Sequence, residues 1–317
     1  MFPEVYLGSL AYALGELEES VETASTEGLL LSAASALREA GFGDHHRCGP
    51  DTSAYELARR AVKKVAQDVR GAHVLVYATS LPLNGNVGSD EAYRSTRDVK
   101  YVMDFPASHL QADLDLGGAM VLGINQLACT SLLAAIRVVT MILRSETHFG
   151  KALCVTADRF PNGALYEQSY NLISDGAVAC MVTKTPGDFR IVGGHGITNG
   201  AMAFASDDQT IGSYFTYTHR LITELLRQHD LTIKDVQWIV PQNINVVTWK
   251  VLSSLLGFDP QRVLFPTMRQ VGHMISGDNI VNLQHLLEER RFAPGDRILL
   301  PMAGYGLNWQ CLLLEKV

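Results

Sequence analysis

The longest hydrophobic block in the chain follows Cys129. Leu132-Leu133-Ala134-Ala135-Ile136 and Val138-Val139-Thr140-Met141-Ile142-Leu143 are broken only by Arg137. Apolar positions fall nearly all round a helical wheel, which predicts a helix buried in a core rather than one lying on a surface. Elsewhere, short apolar runs rich in Val, Ile and Leu predict strands near 5–8, 73–78, 119–124, 152–157, 177–183, 189–192, 238–240, 263–265, 297–300 and 310–315. Helical spacing predicts further helices near 26–40, 54–68, 213–228, 246–256 and 279–290. Strands alternating with helices define an α/β fold class.

The order then restarts. Thr183-Lys184-Thr185-Pro186-Gly187-Asp188 is a turn-rich stretch, and the strand–helix order after it resembles the order before it. Val74-Leu75-Val76-Tyr77 echoes Trp238-Ile239-Val240-Pro241 faintly. Two similar halves are expected, 1–185 and 186–317.

Composition narrows the function. With 47% apolar and 19% charged residues over 317 positions, the chain can build a large core and is not a disordered one. A net charge of -7 argues against nucleic acid as the main partner. The Met1-Phe2-Pro3-Glu4-Val5 start lacks a basic segment leading into an apolar one. No apolar run is expected to reach the ~18 residues of a membrane span. A cytoplasmic setting is expected.

The five cysteines, at 48, 129, 154, 180 and 311, include no C-x-x-C pair, so neither a zinc site nor a disulfide framework is expected. Cys154, Cys180 and Cys311 lie in strand-like runs and read as core. Cys48, within His45-His46-Arg47-Cys48, reads as part of a solvated loop, with metal binding as the other option. Cys129 stands apart, because a helix N-terminus favours negative charge on its sulfur. Position alone leaves it open whether Cys129 is a nucleophile or a small buried hydrophobe.

Five segments decide between them. Gly123-Ile124-Asn125-Gln126-Leu127-Ala128-Cys129-Thr130-Ser131 resembles the nucleophile segment of the β-ketoacyl-ACP synthase III branch of the thiolase superfamily. Leu172-Ile173-Ser174-Asp175-Gly176-Ala177-Val178-Ala179 is similar to that family's F-G-D-G-A-G-A stretch. Asp235-Val236-Gln237-Trp238-Ile239-Val240-Pro241 resembles the lead-in to its catalytic histidine. Pro294-Gly295-Asp296 and Ala303-Gly304-Tyr305-Gly306-Leu307-Asn308-Trp309 resemble its closing loop and last hairpin. The resemblance implies a thiolase fold, with two similar halves in a five-layered α-β-α-β-α sandwich, and a homodimer. It implies no tightly bound cofactor, and an acyl thioester donor carried on acyl carrier protein (acyl-ACP, on phosphopantetheine) or CoA. It also implies an oxyanion hole formed by the amides of Cys129 and Tyr305, where the family has glycine at the latter position.

The chain departs from that family at two chemical positions. Where the family reads P-H-Q-A-N, this chain has Pro241-Gln242-Asn243-Ile244-Asn245; where it reads G-N-T-S, the chain has Gly272-His273-Met274-Ile275-Ser276. Gln242 donates a hydrogen bond but carries no proton near neutrality, and it reads as lining the site, with Asn245 as a polar neighbour. His273 and Asp278, five residues on, compose a Cys129–His273–Asp278 triad of nucleophile, base and orienting carboxylate. Asp278 has a second possible role as cap of the helix near 279–290.

An acyl-transfer branch of the family, from natural-product (polyketide) pathways, carries such a His–Asp pair. The expectation is therefore a ping-pong acyltransferase passing an acyl group through Cys129 to a hydroxyl, amine or thiol acceptor. The alternative is a ketosynthase-like enzyme that forms a carbon–carbon bond. A non-catalytic partner subunit ranks last, since Cys129 is kept. His195 reads as a loop histidine, with lining of the acceptor pocket as its other role. The spacing of Asp104 and His109 suggests no chemistry. Arg59, Arg60, Lys63, Lys64 and Arg269 are candidates for a carrier-protein surface.

Overall fold

The structure is a computed structural model that describes residues 2–169, 171–305 and 307–317. Nine strands form one mixed sheet. They are β1 (Tyr6–Leu14), β2 (Val74–Ala78), β3 (Met120–Ile124), β4 (Lys151–Asp158), β5 (Gly176–Thr183), β6 (Phe189–Thr198), β7 (Trp238–Ile239), β8 (Arg297–Gly304) and β9 (Asn308–Lys316). The spatial order is β7-β8-β9-β6-β1-β5-β4-β2-β3.

On one side of the β1–β6 junction, β2 runs parallel to β3 and β4, and β4, β5 and β1 then alternate in direction. On the other, β7 runs parallel to β8, and β8, β9 and β6 alternate in direction. A parallel bridge from Ile239 to Val263 stands where β3 stands beside β2. The strand expected at 263–265 is only this bridge. Tyr6↔Arg190 and Leu7↔Phe189 join the two groups of strands.

Side-chain alternation sorts the strands between three cores. Val74, Val76 and Ala78 of β2 point into a central core with Cys154, Cys180, Leu300 and Leu312. Leu75 and Tyr77 point outward with Leu153, Val155 and Met181. Ile239, Leu299, Cys311 and Leu313 form the third core.

Helix α3 (Ser131–Ser145) and helix α6 (Asp278–Glu288) fill the centre. Two other helices, α1 (Ala54–Lys63) and α2 (Pro106–Asp113), cover one outer face, while α4 (Asp207–Gln228) and α5 (Val246–Leu256) cover the other. The result is the expected α-β-α-β-α layering. In α1, Ser53 caps the N-terminus by accepting from Glu56 N at 3.1 Å, and Leu57, Ala58, Ala61 and Val62 face the strands.

Three further expectations need correction. The 18-residue stretch Ala128–Ser145 has a mean hydropathy of 1.5, long and apolar enough for a membrane span, yet 61% of it is buried between the strands. The helix expected at 26–40 is two short helices, Val21–Thr26 and Ala34–Ala40, separated where Gly28 turns left-handed at φ +74°. The stretch containing His45 is no loop, because Asp44–Arg47 pairs with Leu17–Ser20 and His45 is fully buried, donating from Nδ1 to Ile173 O at 2.9 Å.

Candidate active site

Cys129 sits in a single 3-10 turn, Ala128–Thr130, that leads from β3 into α3. Ala128 holds φ +46°, a left-handed conformation costing about 1–2 kcal/mol for a residue with a Cβ. Side chains fix the turn: Thr130 Oγ1 donates to Leu127 O at 2.7 Å, and Ser131 Oγ to Ala128 O at 2.8 Å. Cys129 is 9% exposed and opens on a cavity of about 270 Å³. Tyr214, Phe215, Leu307 and Trp309 give the cavity an apolar wall, and His273, Gln242, Asn245 and Tyr305 line it too.

The end of β8 presses on this turn. A Cβ added to Gly304 would lie 2.8 Å from Cys129 N and 3.0 Å from Leu127 O. Only glycine allows that approach. Tyr305 follows, half-exposed, its hydroxyl 3.1 Å from Ser169 Oγ. Gly306, part of the family-like segment, lies outside the described residues.

His273 lies in the loop between the short helix Met268–Val271 and α6 and is gripped by its backbone. Its N–H donates to Leu172 O at 2.7 Å, and its carbonyl accepts from Ser174 N at 3.0 Å. The segment that resembles F-G-D-G-A-G-A therefore holds the histidine in place. The ring's Nδ1 donates to Asp278 Oδ2 at 2.5 Å, with both side chains buried. Asp278 Oδ1 accepts from Met274 N at 2.6 Å, and Oδ2 also accepts from Asn243 N at 2.7 Å.

With those partners the carboxylate does not cap the helix. Asp278 is itself the first residue of α6. Burial works against a charged His273, but the Asp278 charge and hydrogen bond outweigh it, helped by a hydrogen bond to the Cys129 sulfur. The imidazole pKa rises to about 10. Cys129, His273 and Asp278 thus form the expected arrangement, with His273 held as a cation near neutrality.

Below them lies a buried amide scaffold. Asn243 Nδ2 donates to Gly272 O at 2.7 Å, Asn282 Nδ2 to Asn243 Oδ1 at 2.8 Å, and Thr267 Oγ1 to Asn282 Oδ1 at 2.7 Å. Between the Cys129 turn and the His273 loop runs a link that the sequence does not signal. Ser276 Oγ donates to Ala128 O at 3.3 Å and pairs with Ser80 Oγ at 2.7 Å. Under Ser80, fully buried Asp158 accepts from Thr79 Oγ1 at 2.6 Å and from the amides of Ser80 and Leu81. Burial pushes its carboxyl up to about 6 against those hydrogen bonds.

Gln242 and Asn245 both line the cavity. Gln242 is 6% exposed, and Asn245 Oδ1 caps α5 by accepting from Val247 N at 2.9 Å.

His195 is not a loop residue. It lies in β6 opposite Cys311, with Nε2 2.8 Å from Glu224 Oε2, and is not among the described residues lining the cavity. His109 pairs with Asp104 on the surface at 2.5 Å. Cys48 is half-buried, and burial with nearby Asp175 pushes its thiol pKa up. Arg59 is engaged with Asp113 and Glu56, Arg60 with Glu16 and Glu56, and Lys64, just past α1, with Tyr12 O, while Lys63 is exposed. Arg269 is exposed.

Strand order, layering and the Cys129 turn define a thiolase-superfamily fold of the β-ketoacyl-ACP synthase III kind. Residues 226–316 match the model of the 3-oxoacyl-[acyl-carrier-protein (ACP)] synthase III C terminal. A β-ketoacyl-[acyl-carrier-protein] synthase III of Rhizorhabdus wittichii is 24% identical over 281 residues, 81% of this chain and 81% of that protein. Its counterpart in Wolbachia pipientis wMel is 22% identical over 281 residues, 83% of this chain and 82% of that one.

Among solved structures, 3-oxoacyl-(acyl carrier protein) synthase III, FabH, from Pseudomonas aeruginosa PAO1 superposes with a TM-score of 0.81 at 18% identity. It covers 99% of this chain and 98% of its own. ChlB3, described as an acyltransferase with no acceptor named, gives 0.82 at 20% identity, covering 99% and 98%. A single-substitution variant of Xanthomonas campestris OleA gives 0.80 at 16% identity, covering 99% of both. At these identities the solved structures establish the fold. The family model and the curated relatives point the same way, and the chain is similar to β-ketoacyl-ACP synthase III proteins along most of its length.

The expected transfer to a hydroxyl, amine or thiol is thereby overturned. The relatives, FabH- and OleA-type proteins, are condensing enzymes that form carbon–carbon bonds through an acyl-cysteine.

Proposed function

We propose that this protein forms a carbon–carbon bond between two acyl thioesters. The Cys129 sulfur attacks the donor's thioester carbonyl and its thiol leaves, giving acyl-Cys129. The amides of Cys129 and Tyr305 hold the oxyanion in that step. A second thioester then supplies a carbanion at its α-carbon, which attacks the acyl carbonyl, and the Cys129 sulfur leaves with the electron pair. When the second thioester is of the malonyl type, breaking its C–CO₂ bond leaves the electron pair on the α-carbon, and no base is needed.

The observation that carries this reading is the His273–Asp278 pair. It raises the ring's pKa and so favours an Nε2–H donor facing the cavity that Cys129 shares. Such a donor stabilises a thioester enolate and the sulfur as it leaves.

The donor and acceptor thioesters belong to the acyl carrier protein or CoA class, consistent with the names of the curated relatives. Assembly of a polyketide-type β-keto chain is the setting this suggests, in the cytoplasm. A homodimer is in keeping with edge strand β3, which among the described residues pairs on one side only and leaves Met120 42% exposed. Residues 1–185 and 186–317 would be the two halves, meeting where β1 pairs with β6.

The test offers acyl-CoA and acyl-ACP donors together with malonyl thioesters, and follows β-ketoacyl product by mass spectrometry and carbon dioxide release. Product from the wild type and none from Cys129→Ala is expected. An acyl-Cys129 that discharges to hydroxyl or amine acceptors while yielding no β-ketoacyl product would sink the reading.

A further inference from the structure

The cavity beside Cys129 meets solvent at a rim made by two loops. Of the described residues that line it, only Gln168, Ser169 and Tyr305 are exposed, while Cys129, His273, Leu307 and Trp309 are buried. Across that rim the Tyr305 hydroxyl lies 3.1 Å from Ser169 Oγ. The contact joins two segments far apart in sequence: the turn after β8, and a short hairpin in which Glu167 pairs with Leu172 and Gln168 with Asn171. A glycine at 305, as in the family segment that this stretch resembles, could not make it.

Both segments are held from behind. Glu167 is 5% exposed, and its carboxylate accepts from Leu31 N and Ser32 N, each at 2.7 Å, and from Ser32 Oγ at 2.5 Å. Asn171 Nδ2 closes the hairpin tip by donating to Gln168 O at 3.2 Å and Ser169 O at 3.1 Å. On the other side Gly304 presses on the Cys129 turn, and Asn308 Nδ2 donates to Tyr305 O at 3.1 Å. With both backbones fixed, the phenol and the Ser169 hydroxyl are the parts free to move aside. A hydrogen bond between two exposed hydroxyls exchanges readily for bonds to water.

We infer that Tyr305 is a specificity-determining residue: its phenol, tied to Ser169, forms a strap across the opening that admits straight-chain acyl thioesters to Cys129 and slows branched or ring-bearing ones. The inference rests on the thioester reading above. A straight chain passes beside the closed strap, whereas a wide group needs the hydroxyl contact broken and the phenol turned outward. The strap therefore acts on the acyl group as it enters, before the Cys129 sulfur attacks, and takes no part in making or breaking bonds. Behind it, the apolar wall of Tyr214, Phe215, Leu307 and Trp309 receives the chain. Because the backbone amide of residue 305 survives any change of its side chain, selection at the entrance is separable from the oxyanion.

Loading of Cys129 is followed by intact mass with hexanoyl-pantetheine and cyclohexanecarbonyl-pantetheine, and the ratio of ring-bearing to straight-chain rates is compared between proteins. Tyr305→Phe and Ser169→Ala each break the tie, and each should raise that ratio about fivefold, the contribution of one ordinary hydrogen bond. Together they should do no more than either alone, because they remove the same contact. Tyr305→Gly removes the ring as well and should raise the ratio at least about tenfold. A ratio that stays within about twofold of wild type in Tyr305→Gly, or that moves there but in neither tie-breaking variant, overturns the strap.

A second readout needs no thioester. Cys129 is alkylated with N-methylmaleimide or N-cyclohexylmaleimide and mapped by peptide mass spectrometry, and the wide-to-narrow ratio should rise in the same variants and the same order. A ratio that stays fixed shows that Tyr305 does not govern the opening, and the inference fails. A ratio that rises in proteins that no acyl thioester loads keeps the strap and discards the thioester reading instead.

Discussion

Asp278 accepts a hydrogen bond from His273 Nδ1 at 2.5 Å while also accepting from the backbone amides of Met274 and Asn243. The aspartate is thus both the counter-ion that keeps the ring charged and a tie between two loops. Asp278→Asn removes the charge and sets an NH₂ against one of those N–H donors, since an amide has only one accepting end.

With a folded pKa raised to about 10, His273 adds stability that is complete below its unfolded pKa of about 6.5 and is lost as pH rises through 10. The alkaline limb of condensation should follow the same ionisation. In Asp278→Asn that limb should move down toward neutrality, with about 1–3 kcal/mol of stability lost to the mismatched donor. Rate–pH profiles and denaturant melts read the two effects. An unmoved limb would mean that Asp278 does not set the charge on His273.

Ser276 ties the two catalytic loops together, through Ala128 O and Ser80 Oγ. Ser276→Ala should cost about 1 kcal/mol of stability. Acyl loading and condensation should each fall by roughly tenfold, because sub-ångström misplacement of reacting groups is expensive. Stopped-flow loading followed by intact-mass analysis measures this. A variant with wild-type rates would show that the link is incidental.

The legible parts of the sequence were the ones that repeat a pattern. Strands such as Val74–Ala78 and the apolar helix after Cys129 announce themselves by buried runs, and Cys129, His273 and Asp278 by their places in family-like segments. The misreadings arose where local composition competes with tertiary pairing. Gly193-Gly194-His195-Gly196 looks like loop, yet it lies in β6, where Arg137 packs against Gly194 and Gly196 and His229 against Gly193. A side chain at those glycines would collide with them. Ser276, Ser80 and Asp158 carry no spacing signal at all, because their contacts join positions 74 to 196 residues apart.

The reaction is hidden from the sequence for a different reason. A Cys–His–Asp order reads as a base-catalysed triad. Whether the histidine arrives neutral or charged depends on distances that no motif contains.

Gly304→Ala tests the contact between β8 and the nucleophile turn. The new methyl would meet two backbone atoms, Cys129 N and Leu127 O, at 2.8 and 3.0 Å. Neither can rotate away, so the turn must shift. Loading of Cys129 should drop by about 10²-fold, while the circular dichroism spectrum stays that of the wild type. Loading at the wild-type rate would mean that the amide of Cys129 has no fixed place in the reaction.

Asp158 gives the last expectation, and its sign is opposite to that of an ion-paired carboxylate. Burial raises its pKa from 3.8 to about 6, so the folded protein holds this proton more tightly than the unfolded chain does. Its contribution is complete below pH 3.8 and is lost as pH rises through 6. Above that, the ionised carboxylate costs stability relative to the neutral one. Asp158→Asn removes the titration while keeping one acceptor for Thr79 and the amides of Ser80 and Leu81. The stability difference between wild type and variant should therefore change between pH 4 and 6 and stay level from 7 to 8, as read by urea midpoints at each pH. A difference that is constant across the acid range would show that Asp158 is already ionised in the folded protein at pH 4, held so by the donors around it.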